Sequence, residues 1–203
     1  MVRTEVTMNK IFVGLFFVFI DVNISLGNAA ISLIPDFIGY LLIYFGLKQM
    51  EKESYWFGRT KSLAIVLFIY SAFGFFSDLT GLIPTVVSGQ AAVILLGYLS
   101  TIAGLYIAWN IIRGIKDMEE EKEHNFFGRR SMASWKMIAL FQLISPIFGI
   151  IGQFANSYLA RILNQWSMLL SIAGVIASIL FLMDFKYSRD AYVIYLREQE
   201  KQK

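Results

Sequence analysis

Long apolar blocks alternate with short polar segments along the chain, the blocks covering residues 11–24, 28–47, 62–76, 91–112, 137–152 and 166–183. Apolar runs of about 18 residues or more are read as membrane spans. The six blocks predict six spans in three hairpins, 11–47, 62–113 and 137–183, within one transmembrane domain covering residues 1–203. Segments 48–61 and 114–136 become loops on one side, and 184–203 a tail on that same side. The predicted fold class is all-α, an integral membrane bundle of six transmembrane helices.

The first hairpin is cramped. It has 37 residues between Lys10 and Lys48, whereas two crossings need about 20 each plus a turn. One or both helices must be short, or the turn must sink below the outer surface. Gly27-Asn28 is the expected turn, and Pro35 suits the first position of the second helix. Residues 25–34 then form an irregular segment at membrane depth, which is tolerated only where protein or water covers it. Arg3 and Lys10 before the first block, with small residues at Asn28, Ala29 and Ala30, resemble a cleavable signal. Asp21 and Asn23 interrupt the segment before any cleavage point, so the first span is read as retained.

An internal repeat links the two longer polar segments. GLKQME at residues 46–51 returns as GIKDME at 114–119, and FGRT at 57–60 returns as FGRR at 127–130. The repeating unit is one hairpin plus its loop. An even number of spans per unit makes the two copies parallel rather than inverted. The third hairpin lacks both motifs.

Composition sharpens the picture. Hydrophobic residues make up 57% of the chain and charged residues 16%, against roughly 45–50% and 25% in a soluble domain. The net charge of +3 would fit a nucleic-acid partner, but its distribution does not call for one. Seventeen of the 18 Lys and Arg fall at the N-terminus, in the segments after spans two and four, and in the tail; the exception is Arg161. The positive-inside rule places all of these in the cytoplasm, with both termini inside. The implied partner is the lipid bilayer, together with a membrane-protein partner or a second copy of the chain, and no nucleic acid. Trp56 and Trp135 beside the inner loops and Trp166 at the outer end of span six suit the two interfaces. The absence of cysteine excludes thiolate metal sites and disulfides. With His124 as the single histidine, expected at the surface, no metal site and no cofactor is predicted.

Candidate chemistry concentrates in the first hairpin, at Asp21, Asn23 and Asp36. Carboxylates in a lipid-compatible segment are costly and mark functional sites by default. Asp21 would lie about 16 Å above Lys10, near the bilayer centre, with Asp36 at similar depth. Gly14, Val18 and Asp21 would share one helix face, and Asp36, Gly39, Tyr40 and Ile43 another. Two readings stay open. In the first, Asp36 meets the free N–H groups and dipole of its helix while Asp21 and Asn23 satisfy the turn. In the second, the three residues form a polar site for a proton or cation, because two carboxylates in low dielectric cannot both stay ionised cheaply.

Elsewhere, Gly97, Ser100, Thr101, Gly104 and Asn110 on span four, and Ser167, Ser171, Gly174 and Ser178 on span six, read as helix-packing stripes, as do Gly14 and Gly39. Gln142, Ser145 and Pro146 predict a kink in span five. Asp78 is expected in an outer loop and Asp184 at the inner end of span six, neither with a functional role. No zincin, nucleophile-elbow or Walker signature occurs, and an aspartyl enzyme built on Asp21 and Asp36 has no supporting motif. The chain is therefore expected to be no enzyme. It reads as a non-enzymatic binding, assembly or regulatory membrane protein; the alternative is a small transporter or channel for protons, cations or small solutes using Asp21, Asn23 and Asp36.

The segment IPDFIGYLLIYFGL at residues 34–47, preceded by FIDVNI, resembles the first hairpin of uncharacterised multi-pass membrane proteins of Gram-positive bacteria of the Bacillus and Clostridium kind. Asp21, Asn23, Pro35, Asp36, Gly39, Tyr40 and Gly46 carry the resemblance. It implies a bacterial plasma-membrane setting and brings no activity with it.

Overall fold

The computed structural model describes residues 2–20, 23–26, 29–32, 35–80 and 90–201. Among these residues the chain forms α1 (Val2–Phe19), β1 (Asn23–Leu26), β2 (Ala29–Ser32), α2 (Asp36–Met50), α3 (Tyr55–Thr80), α4 (Gln90–Lys122), α5 (Gly128–Phe154) and α6 (Ser157–Lys201). The packed body is all-α. Four helices, α3 to α6, are long and apolar enough to cross a membrane. The other two are shorter, as the residue count of the first hairpin demands: the 15 residues of α2 rise about 22 Å, less than the roughly 30 Å of a hydrocarbon core.

Between α1 and α2 the sequence predicts irregular backbone, and the structure corrects this. β1 and β2 pair antiparallel, with Asn23 opposite Ser32, Ile24 opposite Ile31, Ser25 opposite Ala30 and Leu26 opposite Ala29. Pairing satisfies backbone groups wherever water is scarce, and the isoleucines suit a strand. The expected turn, Gly27-Asn28, lies outside the described residues. α1 ends at Phe19, with the Ile20 N–H still donating to the Phe16 carbonyl. The predicted face of Gly14, Val18 and Asp21 is thus described only as far as Val18. Asp21 itself lies outside the described residues. Pro35 stands at the N-cap of α2 with φ −67° and ψ 121°, one position earlier than expected, and Asp36 opens the helix. Asp78, expected in a loop, falls within α3.

Each helix packs on its neighbour in sequence, α1 on α2 and so on to α5 on α6, and α6 packs back on α1. The six helices thus close into a ring. α1 and α2 approach backbone to backbone. A Cβ on Gly14 would sit 2.6 Å from the Gly39 carbonyl oxygen, and one on Gly39 would sit 2.8 Å from the Gly14 carbonyl oxygen. Gly174 faces the Cβ of Phe141 at ordinary contact distance. Gly97, expected to pack, has no described heavy atom within 4 Å of a Cβ built on it; its position on α4 faces outward, so the stripe on span four does not extend that far.

The outer surface is apolar. Only 17–39% of each of the four apolar stretches is buried, and Val66, Ile69 and Phe73 on α3, Leu95 and Leu99 on α4, and Ile172, Val175 and Ile179 on α6 are exposed. A water-soluble bundle would hide such side chains, whereas a bilayer solvates them.

At the other extreme, the polar end is tightly built. The helices run past the apolar blocks, leaving only residues 51–54 and 123–127 between α2 and α3 and between α4 and α5, while the tail stays helical to Lys201. Hydropathy falls past the apolar blocks, but the apolar face persists: Ile115, Met118, Phe185 and Tyr192 are buried there. His124, expected at the surface, packs its ring 5.0 Å from Phe126 and 5.1 Å from Tyr195. Arg130 Nε donates to Asp184 Oδ1 at 2.5 Å, which gives Asp184 a structural role, and Ser131 bonds Ser188 at 3.0 Å.

The two copies of the repeat occupy equivalent places, at the ends of α2 and α4 and the starts of α3 and α5. Glu51 lies against Gly58, and its counterpart Glu119 lies against Gly128. Gln49 accepts a hydrogen bond from Thr7, and its counterpart Asp117 accepts one from Ser54. The copies also diverge. Glu119 accepts from the N–H groups of Phe126 and Gly128, while Glu51 pairs with Lys61, whose bond and charge hold its carboxyl below the usual range. Phe57 is buried, but Phe127 takes a left-handed φ of 61° and is exposed, leaving Phe126 to fill the core.

Candidate intramembrane solute site

The ring packs solidly toward its polar end and leaves a space toward the other. Side chains with no exposure crowd the polar half: Ile11 on α1, Ile43 and Leu47 on α2, Phe57 on α3, Ile111 and Ile112 on α4, and Phe185 on α6. Beyond them, about 330 Å³ of cavity is lined by residues of five helices. α1 gives Val18 and Phe19; α2 gives Asp36 and Tyr40; α4 gives Ser100, Thr101, Gly104 and Leu105. α5 adds Phe141, Gln142, Ser145 and Pro146, and α6 adds residues between Leu170 and Ser178. Cavities of this size between bundle helices, with polar groups converging on them, are a usual form of small-molecule site.

Helical spacing explains the convergence. Asp36 and Tyr40 are one turn apart at the start of α2 and reach the same space. The Tyr40 hydroxyl is hydrogen-bonded to Ser100, and a Cβ on Gly104 would come 2.9 Å from that hydroxyl oxygen. Gly104 is thus less a general packing residue than the gap that admits Tyr40. On α5, Pro146 has no N–H to offer the carbonyl four residues back, yet the helix continues through it. At that level Ser145 donates to the Ser167 carbonyl at 2.9 Å and bonds Ser171 at 2.7 Å, while Ser167 returns a bond to the Ser145 carbonyl at 2.9 Å. This reciprocal clamp ties α5 to α6 along the cavity wall.

Of the three candidate site residues, the structure places Asp36 in the cavity, with Oδ1 buried. Asn23 pairs with Ser32 at the start of β1, and Asp21 lies outside the described residues. Sequence reasoning assigned Ser100, Thr101, Gln142, Ser145, Ser171 and Ser178 to packing or to a kink and did not join them to Asp36. The signal was present in part, since Asp36 and Tyr40 are four apart, Gln142 and Ser145 three, and Ser171 and Ser178 seven, each pair on one helix face. Asn110, also read as packing, is fully buried elsewhere on α4, and neither of its amide atoms has a hydrogen-bond partner among the described residues.

Gly104→Ala is expected to push the Tyr40 hydroxyl away from Ser100 at a cost of about 1–3 kcal/mol, the usual range for forcing a methyl into a packed contact. Thermal melting in detergent checks this. An unchanged melting temperature would show that Tyr40 yields freely.

No family model matches the chain, and neither does any curated protein or solved structure.

Proposed function

We propose that the protein is a non-enzymatic, multi-pass plasma-membrane protein that binds a small solute in the central cavity and passes it across the bilayer, as a small transporter or channel. The observation that carries this reading is the cavity, where a carboxylate, a phenol and several hydroxyls from separate helices surround a space. Polar residues serving only to lock helices would be expected to close on one another, as Ser145, Ser167 and Ser171 do. Five helices of one chain contribute to the lining, so a second copy is not needed to build it. For this reason the transport reading is preferred to a purely assembly or regulatory role.

In the proposed orientation the basic polar end faces the cytoplasm of a Gram-positive bacterium, both termini are inside, and α1 with α2 completes a first, shallow hairpin of a six-span bundle. The charge distribution supports this, as do the polar contacts of Thr7 with Gln49, Ser54 with Asp117, Arg189 with Asn9 and Lys122 with Glu53 at that end.

The test is flux in proteoliposomes across protons, inorganic cations and small organic solutes. Wild-type protein is expected to exceed protein-free vesicles for at least one of them. Asp36→Asn is expected to lower that flux at least about tenfold, as loss of a buried charge-assisted contact would, with the melting temperature retained. Wild-type protein that moves nothing in the panel would overturn the reading.

A further inference from the structure

We infer that the cavity accepts a small monovalent organic ammonium ion bearing N–H donors, an inference that rests on the solute-site reading above. Three features of the lining point the same way. The first is charge: Asp36 is the one carboxylate among the described lining residues, and no Lys, Arg or His is among them. Across the six apolar blocks and the outer loops that join them, the sequence offers a single basic residue, Arg161 at the start of α6. A negative group in low dielectric favours a cationic guest and rejects an anionic one.

The second is the state of the hydroxyls. Thr101 donates its proton to the Gly97 carbonyl at 3.1 Å, Ser178 to the Gly174 carbonyl at 2.9 Å, and Ser145 to the Ser167 carbonyl. A hydroxyl has one donor and two acceptor lone pairs, so with the protons committed these groups have only acceptance left to offer. Gln142 still offers amide N–H groups, but around the Asp36 carboxylate acceptors outnumber donors, which favours a ligand of donors, and an alkylammonium supplies three on one nitrogen.

The third is size and surface. A bare ion would fill little of 330 Å³, since a water molecule occupies about 30 Å³ of liquid. Phe19, Tyr40 and Phe141 add aromatic surface to the lining, which suits both an alkyl chain and a cation held over a ring. A proton or bare metal ion would use neither the volume nor the rings.

The experiment measures calorimetric binding to the full chain in nanodiscs for four probes of similar size: n-propylammonium, tetramethylammonium, 1-propanol and propionate. Expected is binding of n-propylammonium, with tetramethylammonium at least tenfold weaker, 1-propanol weaker still and no propionate. Asp36→Asn should weaken n-propylammonium at least tenfold and leave 1-propanol unchanged. Thr101→Val, which keeps shape and removes one acceptor, should weaken n-propylammonium severalfold and serves also if Asp36→Asn fails to fold. If 1-propanol binds as tightly as n-propylammonium and neither variant matters, the ammonium inference falls while the solute site stands. Equal binding of tetramethylammonium would overturn the donor–acceptor argument. If none of the four binds although the flux panel moves some other solute, the inference is wrong and the transport reading survives; if the flux panel is also silent, both fail.

Discussion

Gly14→Leu is expected to keep α1 from seating on α2 and to lower the melting temperature in detergent by about 10 °C, corresponding to roughly 3 kcal/mol for a chain of this size. The reason is the kind of atom in the way. A Cβ at position 14 would meet the Gly39 carbonyl oxygen at 2.6 Å and the Ile43 backbone nitrogen at 3.0 Å. A flexible side chain could swing aside, but backbone cannot move without shifting a helix. Glycine pairs of this sort let helices approach where lipid offers no hydrophobic drive for association, so dispersion between the two backbones must hold them together. The consequence reaches the cavity, because Val18 and Phe19 at the end of α1 and Asp36 and Tyr40 at the start of α2 line it together. Gly97→Leu is the matched control. Position 97 is exposed, with nothing described within 4 Å of an added Cβ, so leucine there should change the melting temperature by less than about 2 °C, as surface substitutions do. Equal damage from both substitutions would mean that the loss reflects helix propensity or expression and not the α1–α2 contact.

The same contrast shows what the sequence carried and what it withheld. Apolar blocks locate helices because a bilayer demands long apolar runs, and α3 to α6 answer to four of them. They do not locate helix ends. α4 continues to Lys122 and α6 to Lys201 because Met118, Phe185 and Tyr192 keep a buried face turned inward after the hydropathy has fallen. The hairpin of β1 and β2 was missed for a different reason: Asn23 to Leu26 does alternate polar and apolar residues, but Ala29 to Ser32 does not, and strands of four residues within a long apolar run are too short to outweigh the reading as membrane helix and turn. Asp36 stood out as a buried acid, whereas its companions did not. Ser100, Gln142 and Ser171 sit at helical spacing, but spacing fixes only which residues share a face. Which way that face turns depends on α6 closing the ring against α1, a property of the whole bundle. Gly97 and Gly104 make the point within one helix. They are two turns apart and alike in sequence, yet one meets nothing and the other meets the Tyr40 hydroxyl.

Phe57→Ala and Gly114→Leu are each expected to be strongly destabilising, and together they should cost less than the sum of the two. The Phe57 ring is fully buried at the start of α3, and its removal should cost about 3–5 kcal/mol through lost transfer energy and the cavity left behind. Gly114, within α4, is where that ring goes: a Cβ there would come 2.7 Å from Phe57 Cζ and 2.8 Å from Cδ1. Leucine at 114 must expel the ring, a further cost of about 1–3 kcal/mol or more. With both changes made, the leucine enters the space the ring vacated, so the interaction energy should recover about 1–3 kcal/mol, the range found for residues in direct contact. The measurement is a double-mutant cycle from reversible unfolding in mixed micelles. Additivity within about 0.5 kcal/mol would mean the two residues do not share a volume. The cycle also tests how the two copies of the repeat are joined, since Phe57 belongs to the first and Gly114 to the second. Gly46, the counterpart of Gly114, receives Ile11 of α1 in the same manner. In each copy, then, the motif glycine accepts a side chain from the helix that precedes its own.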